Sequence, residues 1–260
     1  KKSLTNGQIL LLIEDNPIDI NWINRPKVKN EKAILLNEEF TGKSSEEKRL
    51  SIGKSLVKNN LDGAFITALD SICWLLNIRG QDVPCNPVLL SHAVIFSNGD
   101  VELFIAENKI PDGFIEHVGT GVRTFSPLDL KNKLSNLAGK KIGYDMGRGN
   151  SWAADKMEDG GAEVINFTDP CTLQKACKNE IEAQGMRDCH IIDGVAVSKF
   201  LAWIENCVKD GILLDEGELA DKLEEFRKSG DKFMGISFDT ISAVGGNAAN
   251  VFYIVKNHMR

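Results

Sequence analysis

The sequence predicts an α/β protein: a mixed sheet with flanking helices, followed by a helix-rich segment that ends in a hairpin. Three observations carry this. Between about residues 34 and 168, helical patterns alternate with short apolar runs. After Asp169-Pro170 the strand signal stops, and apolar residues recur at helical spacing over 173–208. Finally, FDTISAVGGNAANVFY at 238–253 reads as strand, Gly-Gly turn and strand, because adjacent glycines supply the positive φ of tight hairpin turns.

The totals fit this class. The chain has 260 residues, enough for one large domain or two of ordinary size. Apolar residues make up 42% and charged residues 26%, the balance of a globular protein rather than a disordered one. A net charge of −6 argues against a nucleic-acid or anionic-membrane surface. The apolar runs at 9–13 and 72–76 fall far short of the roughly 18 residues of a membrane span. The opening KKSLTNGQ lacks the apolar core and cleavage site of a signal peptide, and without an initiator Met it reads as the interior of a longer chain. Six cysteines without a CxxC pair point to reduced thiols and a cytoplasmic setting.

In order, residues 1–33 read as the tail of a preceding domain and a linker, with 9–13 a strand or helix end and a turn cluster at Asp15, Asn16, Pro17 and Asp19. Residues 34–169 form the mixed α/β domain. Ser44 or Ser45 caps a helix that carries Glu46 and Glu47 in its first turn and runs to about Asn60. A turn at 61–63 leads to a strand at 64–69 and a helix at 71–76. A Gly-, Pro- and Asn-rich loop covers 77–87. Strands at 88–96 and 101–105 are joined by Ser97-Asn98-Gly99-Asp100, a strong hairpin signal. Another strand is expected within 116–122, a helix at 127–137, a strand at 141–144, a helix at 151–159 and a strand at 163–167. In 170–260, helical spacing over 173–208 is closed by Gly211, and an acidic helix at 216–229 by Gly230. The 34–168 region is expected to be the well-folded part.

Chemistry-bearing motifs are few. No HExxH, His-x-His, GxSxG, P-loop or complete GxGxxG occurs. MGRGN at 146–150 reads as a turn, and Asp239 as a strand-edge or turn carboxylate. Trp74 and Trp203 read as core aromatics. The best candidates are Arg79, Asp82 and Asn86, polar residues on a loop that follows an apolar segment. The alternative is a loop clamp in which Arg79 pairs with Asp82.

Four stretches taken together resemble one family. TALDSICWLLNIRGQDVPCNP (67–87) looks like the middle domain of aminopeptidase P, the Xaa-Pro aminopeptidases of the creatinase/prolidase superfamily. The stretch from Pro170 to Glu205 is similar to the long helix opening that family's "pita-bread" catalytic domain. SFDTISAVGGNAA (237–249) resembles the hairpin that follows, and NPIDINWINRP (16–26) the exit from the first domain. The resemblance implies a creatinase N-terminal-like middle domain at 34–169 and an incomplete pita-bread domain at 170–260. It implies an enzyme that removes the residue preceding proline from peptide N-termini. Two divalent metals, usually manganese, would deprotonate a bridging water.

The resemblance also implies an inactive chain. The family's five metal ligands follow the hairpin, the first in a stretch like DSGxxYxxGTTD, which does not occur here. The His that helps hold substrate is replaced by Phe252, which can neither donate nor accept a proton. His258 reads as a solvated residue, not a substitute. No metal ligand or catalytic residue is therefore assigned, and Arg79, Asp82 and Phe252 are the substrate-binding candidates. Implied partners are peptides with proline second, with a homo-oligomer as a further expectation. The alternative is a non-catalytic binding or assembly protein that retains the fold.

Overall fold

The computed structural model describes residues 17–25, 31–251 and 253. The reading of 9–13, Phe252 and His258 all lie outside the described residues.

A six-stranded sheet organises the first part of the chain. Its strands are β2 (Gly63–Ile66), β4 (His92–Phe96), β5 (Val101–Phe104), β6 (Val122–Phe125), β7 (Lys141–Tyr144) and β8 (Glu163–Asn166), in the order β6-β5-β4-β2-β7-β8. β2 pairs antiparallel with β4, and β4 with β5. The β5–β6, β2–β7 and β7–β8 pairs are parallel. A separate ladder joins β1 (Ile34–Leu35) to β3 (Ile78–Arg79) antiparallel.

Helices cover both faces, so the strands read as continuous apolar runs and not as alternating ones. One core combines Ala64, Ile66, Ala93, Ile95, Val101 and Leu103 with α3 (Ser45–Lys58) and α4 (Leu69–Leu76), which supply Ile52, Leu56, Ile72 and Leu75. The opposite face carries Phe65, Val94, Phe104, Ile142 and Tyr144 under α6 (Leu130–Ser135) and α7 (Ser151–Asp159), which supply Leu134 and Met157. Burying each such large side chain contributes about 1.5–3 kcal/mol.

Local chemistry sets the element ends. Ser44 caps α3 in a reciprocal capping box with Glu47. Outward-facing Leu50 and Val57 leave Ile52 and Leu56 as its core contacts. The Asn98-Gly99 turn closes the β4–β5 hairpin with Gly99 at φ +89. The strand expected from residue 88 begins only at His92, because 88–90 are engaged in closing the preceding loop: Val88 O accepts from Asp82 N and Leu90 N donates to Asp82 Oδ2. The strand expected within 116–122 is replaced by α5 (Phe114–Val118), with β6 starting at Val122. Phe114 and Val118 lie four apart and are both buried, so helical spacing prevails. α2 (Glu38–Thr41) and α1 (Pro17–Asn21) are short.

After β8, α8 (Cys171–Ala176) leads into α9 (Glu180–Lys209), capped by an Asn179–Glu182 box. α10 (Glu216–Lys228) folds back on α9, and Arg227 forks onto Asp193 at 2.6 and 3.2 Å. Trp203 is half-buried and stacks on Phe200 at 6.1 Å, less enclosed than a core aromatic; Trp74 is buried as expected.

The expected terminal hairpin does not form among the described residues. Residues 237–244 carry no strand, and Gly245–Ala249 forms a 3-10 turn. The reason lies in the polar partners. Glu216 at the start of α10 accepts from Val244 N at 2.6 Å and from the Asn247 side chain at 3.2 Å, so these donors go to a carboxylate and not to a cross-strand ladder. Phe238 and Ile241 pair with no strand among the described residues.

Candidate functional site

The loop between α4 and β4 is the most constrained irregular segment. Asn77 ends α4 in the left-handed conformation, at φ 53, which asparagine tolerates better than most residues. Its side chain then serves two neighbours at once: Nδ2 donates to Lys43 O at 2.7 Å and Oδ1 accepts from Lys48 Nζ at 2.6 Å, while its backbone oxygen accepts from His117 Nε2 at 3.0 Å. Lys48 is buried over the Trp74 ring, 4.6 Å from its centroid, and has no carboxylate in its hydrogen bonds. Burial therefore pushes its pKa down to about 8.

Arg79 follows on β3. It donates to Cys73 O at 3.2 Å and to Ile78 O at 2.8 Å. The Cys73 carbonyl lies in the last turn of α4, where the helix dipole favours a cation. Both bonds use Nη1, which leaves Nε and Nη2 uncommitted among the described residues. Burial works against the Arg79 charge and is the largest influence on it.

The loop then doubles back. Gly80 N donates to Pro87 O and Asp82 N to Val88 O. A Cβ at Gly80 would lie 2.3 Å from Leu89, so only glycine allows this approach. Asp82 is not clamped to Arg79. Its carboxylate pairs with Lys109, whose side chain is also buried, and its second oxygen takes Leu90 N at 2.7 Å. The clamp therefore exists with a different cation, because Arg79 is drawn to the end of α4. Asn86 is exposed and bridges to Val83 through the backbone.

At the loop tip, Cys85 adopts φ 57 and reaches the segment after α10: its Sγ lies 3.8 Å from Asp239 Oδ1. Burial and the Asp239 carboxylate push the Cys85 thiol pKa up, so it stays protonated and can donate. Thus Arg79, Asp82 and Asp239 lie on one loop and its contact, while Phe252 lies outside the described residues. Sequence reasoning missed Lys109, 27 residues from its partner, and Glu216, which looks like an ordinary acidic helix start.

Among the described residues, no three His, Cys, Asp or Glu side chains converge as metal ligands. The donor set needed for a metal pair is not assembled there, and no chemical step through a metal follows from them. All six cysteines are free. MGRGN is a turn, with Arg148 N and Gly149 N donating to Asp145 O. No helix among the described residues is long and apolar enough to cross a membrane.

Comparison with known proteins places these features. Residues 24–182 match the family described as creatinase/prolidase N-terminal domain, and residues 184–260 match metallopeptidase family M24. A probable Xaa-Pro aminopeptidase P of Leptosphaeria maculans is 39% identical over 252 residues, 93% of this chain and 41% of that protein. Its counterpart in Tuber melanosporum is 36% identical over 263 residues, 95% of this chain and 42% of that protein. The chain thus spans about two fifths of the length of these relatives. The crystal structure of X-prolyl aminopeptidase from Caenorhabditis elegans, described as a cytosolic enzyme with a di-nuclear active site, superposes with a TM-score of 0.85 at 31% identity. That match covers 93% of this chain and 40% of the other. The two matched regions run in the order that the sequence motifs suggested, and the chain belongs to the creatinase/prolidase family of metallopeptidases, among the aminopeptidase P proteins.

Proposed function

We propose that this chain is the substrate-end portion of a cytosolic Xaa-Pro aminopeptidase, which removes the residue preceding proline from peptide N-termini with two divalent metals, manganese by preference. The observation that carries this is the 39% identity over 93% of the chain to a protein named for that activity. The domain boundary is proposed near residue 170, where α8 begins.

In this reading the 77–90 loop faces the cleft. The Cys85–Asp239 contact supports it, since it holds the loop tip against the first part of the M24-matching hairpin sequence. Arg79 offers its uncommitted guanidinium nitrogens to the substrate, and Asp82 positions the loop from within. By itself the chain turns over no peptide: Phe252 stands where the resemblance places a histidine, and phenylalanine moves no proton.

The test is Arg79→Ala in the product of the complete reading frame. KM for Arg-Pro-Pro should rise several-fold with kcat nearly unchanged, the pattern of lost ground-state binding. An unchanged KM with a lowered melting temperature would leave Arg79 as a helix cap only. A second reading, an assembly protein without activity, is favoured by exposed Ile191, Val195, Leu201 and Phe238. Manganese-dependent turnover by the complete product would exclude it.

A further inference from the structure

Lys48 on α3 is 2% exposed, and no carboxylate bonds to it. Withdrawing an ammonium from water in such surroundings is unfavourable, and the fall of its pKa to about 8 reflects that cost. A methionine of similar length would avoid it. The peptidase reading leaves this residue without a task, and its hydrogen bonds point to one.

The end of α4 is a cluster of oxygens shared by two cations. Lys48 Nζ donates to Trp74 O at 3.1 Å and to Asn77 Oδ1 at 2.6 Å. Arg79 Nη1 donates to Cys73 O, the preceding carbonyl of the same turn, at 3.2 Å, and to Ile78 O at 2.8 Å. Nη1 carries two hydrogens, so these bonds use it fully. Nε and Nη2 form the other edge of the fork, which takes a carboxylate or two neighbouring carbonyl oxygens side by side. That edge makes no hydrogen bond among the described residues.

The charges around this cluster do not bind the edge either. Lys43 and Arg79 act against the Lys48 charge, and Glu182 acts for it. Glu182 also favours the Arg79 charge, but its carboxylate accepts from Asn179 N in the cap of α9. Asn77 Nδ2 is engaged by Lys43 O at 2.7 Å, which leaves the amide oxygen for Lys48. Were Lys48 apolar, Trp74 O and Asn77 Oδ1 would lose this donor next to a guanidinium with donors to spare, and buried acceptors draw such donors in.

We infer that Lys48 is a positioning residue for Arg79: by filling Trp74 O and Asn77 Oδ1 it denies these oxygens to the guanidinium, which is held through Nη1 alone and keeps its Nε–Nη2 edge for acceptor oxygens of the substrate. That role rests on Arg79 meeting the substrate, as proposed for the peptidase.

Two measurements keep the two ideas apart. In the 15N-labelled chain the Arg79 Nε–H signal is identified by its loss in Arg79→Ala. It should exchange with water as fast as in free arginine, and about fivefold more slowly in Lys48→Met, where the edge turns onto the vacated oxygens. In the product of the complete reading frame, Lys48→Met should raise KM for Arg-Pro-Pro about threefold with kcat nearly unchanged, and should have no further effect on KM once Arg79 is alanine. Lys48→Gln keeps N–H donors without the charge and should retain a KM near that of the wild type. Slow Nε–H exchange in the wild type, unchanged exchange in folded Lys48→Met, a full KM effect on the Arg79→Ala background, or a Lys48→Gln KM as high as that of Arg79→Ala would each overturn the role of Lys48. An unchanged KM in Arg79→Ala would instead overturn Arg79 as a substrate contact, with the exchange comparison still judging Lys48. Should Lys48→Met not fold, the wild-type exchange rate and Lys48→Gln decide it.

Discussion

At the scale of single residues, two of the buried cations, Lys109 and Lys48, have different surroundings. Lys109 has a carboxylate, Asp82, and both side chains are withdrawn from water. Lys109→Met leaves Asp82 buried and uncompensated, which should cost about 3–5 kcal/mol in denaturant unfolding. Adding Asp82→Asn should restore part of that loss, because the uncompensated charge is removed. If the double variant is no more stable than the single one, the pair is not the source of the effect. Lys48 has only carbonyl and amide oxygens and an aromatic face, and its pKa falls to about 8 from an ordinary 10.5. The unfolded chain therefore binds more protons than the folded one between about pH 8 and 10.5, so this residue's contribution becomes more favourable as pH rises through that window and is constant below it. Comparing wild type with Lys48→Met removes the other titrating groups. The stability difference should shift toward wild type from pH 8 to 10. A flat difference would mean that Lys48 is not desolvated. Little of this was legible in the sequence. Arg79 and Asp82 were marked as polar residues on one loop, but which cation each carboxylate meets depends on a partner 27 residues away, and local spacing does not encode that.

At the scale of elements, legibility followed the locality of the physics. β7 and α7 were read to the residue, because their ends are fixed by neighbouring sequence: Asn150 caps α7 through Ala153 N at 2.9 Å. The capping box of α3 and the Asn-Gly hairpin are likewise local. Elements were misread where a distant group intervened. Residues 88–91 are pulled from strand into loop closure by Asp82, and the 238–253 run finds Glu216 instead of a strand. The joint between α2 and α9 is a non-local element of the same kind. Gly42 has φ +66, and a Cβ there would lie 2.6 Å from Asn179 Oδ1, while Asn179 Nδ2 donates to Thr41 O at 2.8 Å. Gly42→Ala should cost about 1–3 kcal/mol from the left-handed backbone alone. It should also speed amide exchange at the start of α9, where Asn179 caps the helix. Protected amides over 180–184 in a folded Gly42→Ala protein would show that the joint does not rely on that contact.

At the scale of the whole molecule, a sheet covered on both faces adjoins a helical pair that is covered on one. The α/β part holds nearly all of the fully buried side chains. α9, by contrast, buries only Ala196 and Cys207 and leaves Ile191, Ile192, Val195, Leu201 and Val208 largely exposed. Fewer buried contacts mean lower local stability. Hydrogen exchange should therefore show α9 and α10 opening at lower free energy than β2, β4 and β5. Exchange of all these elements at one common rate would contradict this division. WLLNIRG was legible as a family motif because close backbone packing and a fixed loop path set it, as Gly80 against Leu89 shows. The meeting of Cys85 and Asp239 was not, since it joins positions 154 residues apart. Release of arginine from Arg-Pro-Pro with manganese is the most direct test, measured for this 260-residue chain and for the product of the complete reading frame that encodes it. The complete product should release arginine and leave an Arg-Ala-Pro control intact, while this chain releases none. Turnover by this chain alone, or no Xaa-Pro cleavage by the complete product, would contradict the proposed function.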